Sequence, residues 1–420
     1  MSKLVPLLFL VVSISVPQER PSQGNASLNY GFVNGKWFDD QKFVPQTFYS
    51  VNGVLSLEEP QHVDSTIDLN GKYVVPPYAE AHNHNIDGFK NVEDRIKRYL
   101  ADGIYYVKNP NSIPERTATL TGKVNLPSSL DVVFSNGGLT ATGGHPLELV
   151  RRNIGLGIFT DKDAEGGMYY IIDSVGDLNH KWAGIKAGTP DFIKTYLLYS
   201  EEFLKRRDDT AYFGWKGLDP AVLPMIVERA HHDSLRVSTH VETAADFHNA
   251  LAAGVDEINH LPGFRADSTL DFARYEISER DARDAARKHV VVVTTLAAAA
   301  SSGSTGYQES LRLLHVTNLR LLKKCGVAIA IGSDSYRQTS VPEAMYIKQL
   351  GVFTNAELLR MWSGTTAETI FPQRKIGHLR PGFEASFLVL DDDPLQDFSS
   401  TQKILLRFKN GVKLPGENFE

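Results

Sequence analysis

Two histidines two residues apart, in Glu80-Ala81-His82-Asn83-His84, close an apolar run that begins at Val74. Side chains at i and i+2 of a strand point to the same side, so His82 and His84 can grip one ion. Imidazole suits zinc and related metals. The pair alone is equally well explained as surface or core histidines. Three more candidates stand downstream: His240 in Ser238-Thr239-His240-Val241-Glu242, His260 in Ile258-Asn259-His260-Leu261, and Asp334 in Ile331-Gly332-Ser333-Asp334-Ser335. Each ends an apolar run of its own. Any one could be a satisfied buried polar group, but the recurrence points to a shared metal site. Lys194, in Phe192-Ile193-Lys194-Thr195-Tyr196, is the odd member, because an ammonium would be repelled by a divalent ion. If desolvation and nearby positive charge lower its pKa, the neutral amine can add carbon dioxide. The carbamate is anionic and has two oxygens, which suits it to joining two metals ~3.5–4 Å apart. A structural lysine paired with Asp or Glu is the alternative.

Eight short apolar segments are available to position these groups: Val74–His84, Ile104–Lys108, Val132–Gly137, Phe192–Leu197, Val237–Glu242, Glu257–Leu261, Val290–Leu296 and Val327–Asp334. Helix-like stretches separate the later ones. Asp219-Pro220 predicts a capped start for Ala221–Ala230, Thr243 and Gly254 bracket Ala244–Ala253, and Ser278 with Asp281 precedes Ala282–Lys288. Strands alternating with helices imply a parallel sheet, and eight such units imply a closed α/β barrel, (β/α)8, of the TIM type. The candidate ligands then stand at the carboxyl ends of their strands, where barrel enzymes place catalytic groups. An open doubly wound sheet lacks its Gly-rich dinucleotide signature here. Long connections at Leu139–Pro190 and Tyr199–Gly217 are expected to cover the site, with Ala297–Gly306 as a lid or a helix start.

The flanks read as short strands: Tyr30–Val33 before an Asn34-Gly35 turn, then Ser386–Leu390 and Ile404–Phe408 before Asn410-Gly411. Neither flank buries enough alone, so the expectation is one small β-sandwich from both ends. The divisions are residues 26–75 with 370–420 for that domain and 76–369 for the barrel, after a signal peptide and linker over 1–25. The signal reading rests on Lys3 followed by the apolar run Leu4–Val16, too short to span a bilayer. It implies export to the periplasm or outside the cell, with no stable membrane insertion. A net charge of -6 gives no basic footprint for nucleic acid. The single cysteine, Cys325, forbids an internal disulfide and reads as a buried thiol at a helix end. A small-molecule substrate is the partner expected, and a homo-oligomer is compatible with the sequence.

The ligand order resembles that of the amidohydrolase superfamily, in particular its imidazolonepropionase-like and metal-dependent prolidase-like enzymes: His82-Asn83-His84 on strand one, then Lys194, His240, His260 and Asp334 on strands four, five, six and eight. Gly71–Pro76 and Arg380–Leu390 resemble the family's passages into and out of the barrel. The resemblance implies two divalent metals, a carboxylated Lys194, and hydrolysis by metal-activated hydroxide, with Asp334 carrying the proton and His260 beside it. It places His145, in the loop Thr140–His145, and Tyr199 against the substrate. Two features depart from the family: Glu80 stands where Asp is usual, and no glycine pair follows Lys194. Arg151 and Arg152 are candidates for a substrate carboxylate or plain surface arginines. His231, His232 and His378 have no part in the site. The bond expected is an amide C–N bond in a dipeptide, N-acyl amino acid or cyclic amide. Ester or lactone hydrolysis, a one-metal deaminase and a non-catalytic binding protein are the alternatives. For export, the intact mass of protein from its native host should lack roughly the first 15–25 residues; a cytoplasmic chain beginning at Met1 would refute it.

Overall fold

Pro76-Pro77 divides the first long apolar run into two strands that serve different sheets. Proline donates no N–H, so the pair breaks the ladder there. The computed structural model describes residues 28–88, 91–266, 271–300 and 304–415; the expected signal segment lies outside them. Before the prolines come β1 (Tyr30–Phe38), β2 (Phe43–Val51), β3 (Val54–Ser56), β4 (Ser65–Asp68) and β5 (Tyr73–Val75). After them come β6 (Tyr78–Glu80), β7 (Ile104–Asn109), β8 (Asp131–Phe134), β9 (Gly138–Thr140), β10 (Tyr169–Ile171), β11 (Phe192–Tyr196), β12 (Arg236–His240), β13 (Glu257–Asn259), β14 (Val291–Thr294) and β15 (Ile329–Ile331). The chain ends with β16 (Phe387–Leu390), β17 (Ile404–Lys409) and β18 (Val412–Lys413).

This is a mixed α/β fold with two all-parallel sheets, β6-β7-β8 and β10-β9-β11-β12-β13-β14-β15. Backbone hydrogen bonds link their margins: Ala81 N–H donates to Ile331 C=O beside β6 and β15, and Asp191 N–H to Phe134 C=O beside β11 and β8, each at 2.8 Å. All eight segments read from the sequence contain a parallel strand, and every strand but β7 is shorter than its apolar run. The connection after Leu139 is not one long loop, since it supplies β9 and β10 to the larger sheet. The helix after Asp219-Pro220 begins at Leu223; the Asp219 carboxylate accepts from the Ala221 N–H instead of capping it. Thr243 caps its helix and Gly254 ends it at φ 83°, as the sequence predicts. Ser278 likewise caps Glu279–Arg287. The segment after β14 opens with the short helix Leu296–Ala300, and Cys325 closes the helix Thr305–Cys325, half-buried.

The two flanks associate as expected, in the order β18-β17-β16-β5-β1-β2-β3 with β4 also on β1. The pairing makes one continuous sheet of eight strands and does not divide it into two stacked layers. Asn34-Gly35 is not a turn: β1 runs through it with a bulge, pairing with β4 before it and β5 after it. This sheet encloses an aromatic core of Phe32, Trp37, Phe48, Phe387 and Phe408, with Phe32 meeting Phe387 edge-on at 4.8 Å.

A buried polar bolt joins β17 to β8. Lys409 Nζ, 2 % exposed, donates to Asp131 Oδ1 at 2.8 Å, while Arg374 donates to Asp131 Oδ2 at 2.8 Å and to Glu384 at 2.6 Å. Removing one partner of such a pair leaves a buried charge uncompensated. Asp131→Ala should lower unfolding free energy in urea by about 3–5 kcal/mol; a loss below about 1 kcal/mol would show that water reaches Lys409.

Candidate metal centre

The site lies where the parallel strands end. Past β6, the chain is tied to its neighbours by Asn83 N–H to Lys108 C=O at 3.2 Å and His84 N–H to Ser335 C=O at 3.0 Å. The His82 C=O accepts from the N–H groups of Ser333 and Asp334, both at 2.9 Å, so the first and last parallel segments meet at the ligands. Gly332 permits this approach, because a Cβ there would fall 2.6 Å from His82 Cβ. His260 and Asp334 both sit in the left-handed region, at φ 73° and 51°. That costs about 1–3 kcal/mol per residue and is characteristic of functional sites.

Five of the six expected ligands crowd together. The imidazole Nε2 atoms of His82 and His84 converge on Asp334 Oδ1 at 3.2 and 2.9 Å. His260 lies 4.8 Å from His82 and 4.3 Å from His240, ring centre to ring centre. His82, His260 and Asp334 bring one donor atom each within 4.8 Å of one another. Lys194 shares the wall of the same cavity, of about 190 Å³, but its Nζ donates to Asn259 Oδ1 at 2.5 Å. His145 also lines the cavity, 5.1 Å from the His240 ring.

Partners outside the cavity hold three of the imidazoles. His260 Nδ1 meets Thr295 Oγ1 at 2.6 Å, leaving Nε2 as its donor atom. His240 Nε2 meets Glu242 Oε1 at 3.0 Å, leaving Nδ1. His145 Nδ1 donates to Glu148 Oε1 at 2.6 Å. Burial pushes His82 down to about 4 and carries His240 and His260 well below their ordinary range, so all three are neutral at pH 7. Burial also brings the Lys194 amine down to about 7. For Asp334 burial opposes charge, but hydrogen bonds from His82 and His84 outweigh it and hold the carboxyl well below the usual range. Glu242 is pushed up to about 8 by burial, and Glu80 to about 8 likewise.

The donor set fits a divalent cation. Neutral imidazoles and an ionised carboxylate are what zinc-type ions take. His82 Nδ1 is buried with no hydrogen-bond partner among the described residues, an unsatisfied group that needs an explanation.

Tyr199 does not line this cavity. Its backbone is left-handed at φ 53°, its N–H donates to Asp246 at 2.9 Å, and its hydroxyl donates to the Arg265 C=O at 3.0 Å, outside the cavity lining. The Arg206 guanidinium, 3.8 Å over its ring, fills the face a ligand would need. Arg151 lies 4.2 Å over the exposed side of Phe213 and lines no part of the cavity. Sequence reasoning missed Thr295, Glu242, Asn259, Glu148 and Arg265. His-x-Glu after strand five was the one visible signal, since i and i+2 share a face.

Residues 187–401 match the Amidohydrolase family, more than half of the chain, and this protein belongs to that family. An ochratoxinase of Aspergillus niger is 28% identical over 206 residues, 47% of this chain and 40% of that protein. The chain thus spans about 40% of the length of the curated relatives it matches. The crystal structure of A. niger ochratoxinase superposes with a TM-score of 0.72 at 18% identity, covering 94% of this chain and 98% of that one. A prolidase solved with N-methylphosphonate-L-proline gives 0.70 at 18%, covering 93% and 100%. These two likenesses are of fold.

Thr295→Val removes the hydrogen bond that orients His260 and nothing that touches the cavity. Affinity for zinc, measured by competition with a chelator, should fall about 10- to 100-fold with little change in unfolding midpoint. An unchanged affinity would remove Thr295 from the site.

Proposed function

We propose that this protein is a metal-dependent hydrolase of an amide-type C–N bond, in a dipeptide, N-acyl amino acid or cyclic amide. The observation that carries the reading is the convergence of His82, His260 and Asp334 to within 4.8 Å beside two further imidazoles. Membership of the amidohydrolase family supports it, as do the ochratoxinase and prolidase folds. In this reading the linked parallel sheets are one closed barrel over residues 76–369, and the terminal sheet is its sandwich-like companion over 26–75 and 370–420. Export, read from the apolar run after Lys3, belongs to the same proposal.

His82 and His84 would hold one ion and His240 and His260 a second, with a carboxylated Lys194 between them; zinc suits the imidazoles. Bound metal lowers the pKa of water from 15.7 toward ~7 and polarises a carbonyl. The chain's own groups then handle protons and position. Asp334, kept ionised by its imidazole neighbours, takes the proton of the attacking water and passes it to the leaving nitrogen. His260 stands beside it, its ring fixed by Thr295. His145, its Nδ1–H held by Glu148, keeps Nε2 as an acceptor for a substrate N–H. Phe264, stacked 4.1 Å over His260, excludes water from that side.

A one-metal site is the second reading, favoured by the fact that, among the described residues, only His82, His260 and Asp334 form the tight group. Elemental analysis of protein purified without chelator decides between them: about two ions per chain supports the first reading, about one the second, and none would sink both. Asp334→Asn keeps the shape but loses the basic carboxylate. At equal metal occupancy its kcat should fall about 10²–10⁴-fold; turnover within a few-fold of the parent would pass the proton role to another group.

A further inference from the structure

Arg265 brings a guanidinium to the same cavity as the imidazoles, five residues past His260. A long cationic side chain at a cavity mouth is ordinarily mobile and well solvated. This residue is fixed at four points, two on its backbone and two on its guanidinium. Its N–H donates to Glu242 Oε2 at 2.7 Å, and its C=O accepts from the Tyr199 hydroxyl at 3.0 Å. Its guanidinium lies 4.2 Å over the Trp215 ring. Its Nη1 donates to Glu148 Oε1 at 3.2 Å. Tyr199 is in turn tied by its N–H to Asp246, so the backbone of Arg265 rests on a buried support.

The bonding is one-sided. Nη1 serves Glu148 and lies 3.0 Å from His145 Nδ1, while the structure gives Nη2 and Nε no hydrogen-bond partner among the described residues. Glu148 uses the same oxygen for His145 and Arg265, so its charge is shared between two donors. A guanidinium has five N–H donors in a planar fork that matches a carboxylate. Here the fork is already ordered, so a ligand need not immobilise it. Phe264, Leu149 and Pro146 make part of the wall apolar, where a charged pair is less screened than in water.

We propose that Arg265 is a carboxylate subsite and that the preferred substrate carries a free carboxylate next to the scissile amide. The cleavage part rests on the amide-hydrolase reading above; the binding part does not. Arg151, directed onto Phe213, has no comparable access.

The test is a binding measurement, which needs no turnover. N-acetyl-L-leucine and its neutral counterpart N-acetyl-L-leucinamide are titrated calorimetrically into zinc-loaded and chelator-treated protein, with Arg265→Met and Arg265→Lys alongside. The acid should bind about 10- to 100-fold more tightly than the amide in both preparations of the parent. Arg265→Met should abolish that preference, and Arg265→Lys should restore part of it without the bidentate geometry. Equal binding of the two ligands, or of neither, would overturn the subsite. A preference seen only with zinc, or one that survives Arg265→Met, would mean that the carboxylate sits on the metal and would overturn it equally. Should Arg265→Met fail to fold, Arg265→Lys carries the comparison: a preference weaker than the parent's is expected, and an unchanged one would overturn the subsite. If the acid is preferred through Arg265 but its amide bond stays intact in a hydrolysis assay, the subsite stands and the amide-hydrolase reading falls.

Discussion

Lys194 has to hold an amine in a dry interior beside several imidazoles, and a column of hydrogen bonds beneath it makes that arrangement stable. Lys194 Nζ donates to Asn259 Oδ1, Asn259 Nδ2 donates to Glu257 Oε1 at 2.8 Å, and Lys108 Nζ donates to Glu257 Oε2 at 2.8 Å. Ser238 Oγ lies 2.8 Å from both Glu257 Oε1 and Asn259 Oδ1, so its one hydroxyl proton serves either of them. For Glu257, burial opposes ionisation, but Lys108 and Arg236 outweigh it and hold it down to about 2. One neighbouring strand after another contributes a member, so sheet register and side-chain pairing enforce each other. A half-satisfied network in this position would be worse than an apolar core.

Above that column the fold accepts strain to bring its ligands together. Two residues that ordinarily avoid the left-handed region, His260 and Asp334, adopt it at the strand ends. There the chain must turn sharply while keeping its side chain over the cavity. The close approach of His82 to Gly332 serves the same end from the opposite margin. Stability given up at these points is recovered in the aromatic contacts below, such as Tyr78 stacked on Trp362 at 3.9 Å.

Much of this was legible in the residue pattern. A polar residue that terminates an apolar run is conspicuous, and His82, His84, His240, His260 and Asp334 all announce themselves that way. Lys194 stood out because a lysine inside an apolar strand needs a reason. The flanking strands were visible through alternation, although the prolines at 76 and 77 separate two sheets that a hydropathy reading joins. Groups that act through a neighbour were harder to see. Thr295, Asn259 and Glu148 are single polar residues of common type, and their importance lies in distances between segments far apart in sequence. Tyr199, placed against the substrate by resemblance, instead carries the Arg206 guanidinium 3.8 Å over its ring. Arg265 follows a ligand strand just as closely and is the residue that reaches the cavity.

The placement of β5 has a consequence for the order in which the protein is built. Its partner β16 lies more than three hundred residues further along the chain, inserted between β5 and β17. During translation one edge of Val74 and Val75 therefore waits for the C-terminal segment, on the order of half a minute at ~5–20 residues per second. Throughout that interval an apolar strand edge is open to any extended segment nearby. A segment that leaves the ribosome late closes one that left early, so a ribosome that stalls between them would leave a nascent chain exposed to strand exchange.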